Sequence, residues 1–153
     1  MSIASLVSSP AILDSVTNAI ADKLNLTKTI YSSCSNTLNL TQVGIGTLTI
    51  LTSPVNIINA GSTILCNIGF NVFVASVATG LGLDIIFGSV TTSFTIYVSN
   101  GYATISGIFS ALSDVSGGNT QTMTIQIHNN DGSATIAFTS GRTYFTTEIS
   151  EVI

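Results

Sequence analysis

The sequence predicts an all-β fold, an antiparallel β-sandwich or jelly roll of about 8–10 short strands with a short N-terminal helix. Three observations predict it. From Thr29 onward, β-branched and aromatic runs recur about every 10–14 residues, separated by Gly, Asn, Ser and Asp. Many of these runs alternate apolar with polar residues, the period of a half-buried strand. The composition also changes near residue 29. Residues 1–28 hold four of the ten charges (Asp14, Asp22, Lys23 and Lys28), and residues 29–83 hold none. The chain accordingly divides into an N-terminal helical connector or assembly segment, 1–28, and a jelly-roll domain, 29–153.

The helix comes first. Ser9 is a suitable N-cap, and Pro10 falls at the first helical position, where its missing N–H costs nothing. Asp14 lies near the positive end of the helix dipole and Lys23 near the negative end. Leu13, Val16, Ile20 and Leu24 follow at steps of three, four and four, which aligns them on one stripe of a helix ending near Asn25. A helix this short is marginal alone, so the stripe must bury against its own domain or against copies of itself.

The strands follow in order. Residues 37–41 and 47–51 alternate, and Pro54 interrupts before residues 55–58 resume. Residues 64–68 and 70–77 form the next strands; the second is apolar on both faces, with Phe70, Val72 and Val74 set against Phe73, Ala75 and Val77. Such a strand is central or meets another subunit. Residues 79–82 (TGLG) turn the chain before a short strand at 83–87. Residues 91–98 and 102–109 flank Ser99-Asn100-Gly101, which predicts a hairpin with a type I′ turn. A second hairpin is predicted between residues 122–128 and 133–139 through Asn129-Asn130-Asp131-Gly132, with Met123, Ile125 and Ile127 inward. Residues 143–149 close the fold, with Phe145 and Ile149 on one face.

Composition excludes several functions. The chain has 153 residues, enough for one domain that buries about 70% of its unfolded surface. Only 7% of residues are charged, where an average soluble domain has about 25%. Lys23, Lys28 and Arg142 cannot neutralise a phosphate backbone, so nucleic acid is not an expected partner. One histidine and two cysteines cannot form a four-ligand zinc site of the usual kind. The apolar run at residues 64–88 is not expected to span a membrane. It contains Asn67, Asn71 and Asp84, lacks flanking basic residues and is β-branched. The N-terminus has no basic region ahead of its broken apolar run, so no secretory signal peptide is expected.

Signals for catalysis are weak. His128 is the single imidazole and is read as a solvated residue at a strand end. Asp84, Asp114, Asp131, Glu148 and Glu151 fall in separate elements and read as turn formers and solubilising charges. Residues 129–132 lack the acid pattern of a calcium loop, and the doublets Gly44/Gly46 and Gly80/Gly82 lack the third glycine of a dinucleotide site. No enzyme activity, cofactor or metal is expected. Cys34 and Cys66 can form one disulfide, within or between chains, or remain two small free thiols.

The surface is the informative part. Polar character rests on 22 Thr, 21 Ser and 12 Asn. An exterior with so few charges favours association, and strand edges with so few lysines are poorly guarded against pairing with another chain. Much of this surface is therefore expected to be covered by other copies.

Residues 61–77, 91–109 and 122–149, a Thr/Ser/Gly-rich run of strands behind a short connector, resemble the compact jelly rolls of the tumour-necrosis-factor and C1q-like class. The resemblance is architectural and covers about four-fifths of the chain, without a collagen repeat. Domains of this kind form heads of viral and phage fibres, capsid decorations and bacterial spore-surface proteins. The resemblance implies a non-enzymatic, self-assembling structural subunit, a trimer or a polymer, on a virion exterior or other extracellular surface fibre. A spore-surface or appendage subunit is one alternative. A carbohydrate- or receptor-binding head is another, with Tyr97, Tyr102 and Tyr144 as candidate contacts for surface glycans.

Overall fold

The computed structural model of the protein describes residues 27–114 and 120–152. The predicted helix and its stripe, Leu13, Val16, Ile20 and Leu24, lie outside these residues. The described chain is all-β, with eight strands: β1 (Thr27–Ser35), β2 (Leu40–Val43), β3 (Gly46–Asn56), β4 (Thr63–Phe87), β5 (Val90–Leu112), β6 (Thr120–Asn129), β7 (Thr135–Phe138) and β8 (Tyr144–Val152). Every pairing is antiparallel.

β4 organises the fold. Along one side it pairs with β5; along the other it pairs in turn with β8, β7 and β6. Its first half lies in the order β1-β8-β4-β5 and its second half in the order β3-β6-β4-β5, with β2 and β7 between them. These are the two four-stranded sheets of a jelly roll, here sharing two continuous strands. The chain passes between sheets where residues 75–77 of β4 stand opposite Asn100 alone. A bulge of this kind bends a strand and shifts its alternation. Even-numbered residues from Ile64 to Val74 are buried before it, and Leu81, Leu83, Ile85 and Phe87 after it.

The core lies between the two sheets. Phe70, Phe87, Phe138, Phe145, Leu81, Leu83 and Met123 are fully buried. Phe70 and Phe138 pack with ring centroids 6.1 Å apart. Met123, Ile125, Ile127, Phe145 and Ile149 point inward as predicted.

Several local expectations are corrected. Asn100-Gly101 is no hairpin turn: Ser99 and Gly101 pair with Ala78 and Val74 inside the long β5. Gly101 does take a positive φ of 107°, but it uses that freedom at the bend between sheets. Bend and reversal leave the same mark, a glycine with a phase change on either side. The reversal lies at Gly88-Ser89, between the paired residues Phe87 and Val90, with Gly88 at φ 61°. Residues 79–82 likewise continue β4 rather than turning it. β6 and β7 do not pair with each other; β6 joins β3 and β4, and β7 joins β2 and β4. Pro54 lies inside β3, which pairs with β6 alone, so its missing N–H falls on an edge strand. β1 has no counterpart in the predicted strands, because its few apolar residues, such as Ile30 and Tyr31, give little alternation.

Candidate functional site

Two features of the exterior stand out, an open edge and a cleft. Among the described residues β5 pairs with β4 only, along 23 residues without a charge or a proline. Its inward side chains Phe94, Ile96, Ala103, Ile105 and Phe109 are only partly buried against the core. Phe94 and Phe109, from the two halves of the strand, meet with centroids 4.8 Å apart. Outward, Tyr97 is 85% exposed and Ile108 72%. Only three charged residues, Lys28, Arg142 and Glu148, are exposed among the described residues.

The cleft lies on the outer face of the first sheet. Tyr144 of β8, Asn71 of β4 and Thr104 of β5 stand in one row across three strands. Phe73 and Tyr102 form the next outward pair along β4 and β5. Their rings meet edge to face at 5.3 Å, which holds the exposed Tyr102 ring in place. Arg142 enters from the turn before β8. That turn is set by bonds from the Arg142 and Thr143 amides to the Thr139 carbonyl. Asn71, Tyr102, Arg142 and Tyr144 line an open cavity of about 490 Å³. Asn71 Nδ2 donates to Thr104 Oγ1 at 2.9 Å, which orients the amide. Sequence reasoning singled out Tyr97, Tyr102 and Tyr144; the fold brings Tyr102 and Tyr144 together and adds Arg142 and Asn71, while Tyr97 does not line the cavity.

A third constellation lies on the second sheet. His128 Nε2–H donates to Asp84 at 2.5 Å, leaving Nδ1 to accept the Thr47 hydroxyl at 2.8 Å. Gly82 stands opposite His128, and a Cβ there would lie 3.2 Å from the His128 Cβ, so the glycine leaves room for the ring. His128 is therefore an engaged, one-third-exposed residue rather than a solvated strand end. Its partners lie 81 and 44 residues away in sequence, so no local spacing could announce them. The chemistry available is a hydroxyl–imidazole–carboxylate row, which braces three strands.

The acids also change role. Glu151 is fully buried and accepts the amides of Ile58 and Asn59, each at 2.6 Å, which staples the loop after β3 to β8. Asp114 accepts the Ser89 hydroxyl beside the β4–β5 turn. Asp131 accepts the Ser133 amide at 2.8 Å, in keeping with its predicted turn role. Cys34 is exposed on β1, and Cys66 is buried on the core face of β4; both are free thiols. Burial pushes the Cys66 thiol up to about 12. Among the described residues no helix is long and apolar enough to cross a membrane, and no three His, Cys, Asp or Glu gather to hold a metal.

No protein-family model matches the chain, and no curated protein does. Solved structures do. One is the infectious bursal disease virus Gx strain structure, at 11% identity and a TM-score of 0.45, covering 83% of this chain and 37% of that one. Another is the C-terminal domain of the sugar-binding protein EclA, at 11% identity and a TM-score of 0.34, covering 80% and 79%. A third is the VP2 subviral particle of infectious bursal disease virus, at 12% identity and a TM-score of 0.33, covering 83% and 40%. The chain thus spans less than half the length of the viral chains it matches. These likenesses assign no residue of the edge or the cleft.

Proposed function

We propose that the protein is a non-enzymatic structural subunit that assembles with copies of itself on the exterior of a virion or a comparable extracellular surface fibre. The observation that carries this reading is β5, among the described residues a long edge without charge or proline, most of whose inward apolar side chains are only partly covered. An unpaired row of backbone N–H and C=O groups is a template for another strand, and natural monomers block such rows with lysine, proline or bulges. A neighbouring copy that pairs along β5 satisfies the row and covers Phe94, Ile96, Ile105 and Phe109. The low exposed charge leaves little repulsion to oppose that contact. The N-terminal segment, 1–28, is the proposed connector, acting through Leu13, Val16, Ile20 and Leu24 or as the added strand. A trimer or a polymer satisfies the same chemistry, as does a spore-surface or appendage subunit.

Native mass spectrometry and electron microscopy of the full chain test the reading. The expected result is discrete oligomers or fibres. The double variant Leu13→Asp, Ile20→Asp is expected to weaken them if the stripe is the connector. Dispersed monomers at high concentration would overturn the proposal.

A further inference from the structure

We propose that the cleft formed by Asn71, Tyr102, Arg142 and Tyr144 binds a carboxylated sugar, a uronic or sialic acid unit within a glycan. Arg142 is one of only two lysine or arginine residues among the described residues, yet its guanidinium has no carboxylate or hydrogen-bond partner there. Glu148, the exposed acid on the same strand as Tyr144, lies four residues beyond it, about 13 Å along the strand. In a chain of net charge −4, the guanidinium is thus, among the described residues, a positive group without an ion-pair partner beside two exposed rings. A planar fork of this kind recognises a carboxylate through two parallel hydrogen bonds.

The other lining groups fit the rest of such a ligand. A pyranose presents an apolar C–H face and a rim of hydroxyls. Tyr102 and Tyr144, 55% and 39% exposed, offer ring surface for the first and phenol hydroxyls for the second. Asn71 spends Nδ2 on Thr104 and keeps Oδ1 free to accept a sugar hydroxyl. The site is also preorganised: the Tyr102 ring is braced by Phe73, and the Arg142 backbone is fixed in a hydrogen-bonded turn. The cavity of about 490 Å³ is open to solvent and has room for a single sugar unit. Asn71, Arg142 and Tyr144 stand off β5 while Tyr102 lies on it, so Arg142→Gln and Tyr144→Ala are the variants that read binding apart from assembly.

The test uses the full chain, with 3′-sialyllactose and an oligogalacturonate as probes and lactose as the neutral control. Calorimetry and chemical-shift mapping are expected to show saturable binding of at least one acidic probe at the cleft, and weaker binding of lactose. Tyr102→Ala and Tyr144→Ala should each weaken binding about tenfold. Arg142→Gln should remove the preference for the acidic probes, and Tyr102→Phe should retain most of the affinity. Sialyllactose alone or oligogalacturonate alone decides which acid is read, and either supports the site. Absence of binding by both probes, or binding indifferent to all four variants while their folds are intact, would overturn it. If Tyr102→Ala and Tyr144→Ala instead change the oligomeric state and no probe binds, the cleft is a protein interface. The sugar proposal then fails while the assembly reading stands.

Discussion

The edges of this sandwich are not treated alike. β1 and β3 each pair with a single neighbour, as β5 does, but both carry interruptions. β1 has Lys28 and a register shift between Thr29 and Tyr31; β3 has Pro54 and a shift between Thr49 and Leu51. Charge, proline and bulges are the devices that keep an edge from recruiting another chain. β5 lacks the first two, and at its bend the extra residues sit on β4 while β5 itself turns at Gly101, with its φ of 107°. Among the described residues β2 also has a single partner but is only four residues long, so β5 is the one long edge left for the proposed assembly. A chain with so little charge would otherwise be sticky all round, and two of its edges are blunted by local covalent and steric means instead.

The largest expected effect comes from giving β5 the device it lacks. Thr95→Lys with Ile108→Lys should abolish assembly and leave a folded monomer, read by native mass spectrometry and circular dichroism. The matched change on β1, Ser32→Lys, should leave assembly as it is. If both behave alike, the contrast between edges is wrong.

Next comes the difference in burial behind the edge. Phe70→Ala, in the closed core, is expected to cost about 3–5 kcal/mol in urea unfolding. Phe94→Ala, under the open edge, should cost about 1–2 kcal/mol in the monomer, because part of its ring is already solvated. Phe94→Ala should weaken assembly as well, since that ring is what a neighbour would cover.

Cys66 and Cys34 carry the same contrast between buried and open positions into the first sheet. The folded Cys66 thiol is raised by burial from 9.0 to about 12. Its contribution to stability is fully present below pH 9. Above that the unfolded thiol ionises while the folded one does not, and the contribution is lost as the pH rises toward 12. The expected slope is about 1.4 kcal/mol per pH unit, measured as the difference between the parent protein and Cys66→Val so that other titrating groups cancel. Under native conditions a thiol reagent should modify the exposed Cys34 and spare Cys66.

The smallest effect on stability is expected from removing the guards. Lys28→Thr with Pro54→Thr should change unfolding free energy by about 0.5 kcal/mol or less. The same variant should nevertheless associate through surfaces the parent protein keeps apart, visible as larger or irregular particles.

Much of the inner face was legible in the sequence. Met123, Ile125 and Ile127 on β6 and Phe145 and Ile149 on β8 are buried where alternation puts them. The two-sided apolar strand around Phe70 is indeed central. Half of the cleft was legible too, because an exposed tyrosine at a strand face is visible in the pattern. Arg142 and Asn71 were not, since nothing local says that a turn residue and an asparagine 71 residues apart in sequence share a cavity.

By itself the sequence determined the class of fold, the inward faces and the poverty of charge, because these depend on composition and a period of two. Tertiary structure alone decided that Asn100-Gly101 bends a strand rather than reversing it, and that His128 is held between Thr47 and Asp84. Among the described residues it also left β5 with β4 as its single partner. Pairing between strands joins residues tens of positions apart through backbone groups that every residue carries, so side-chain pattern cannot say which strand lies beside which.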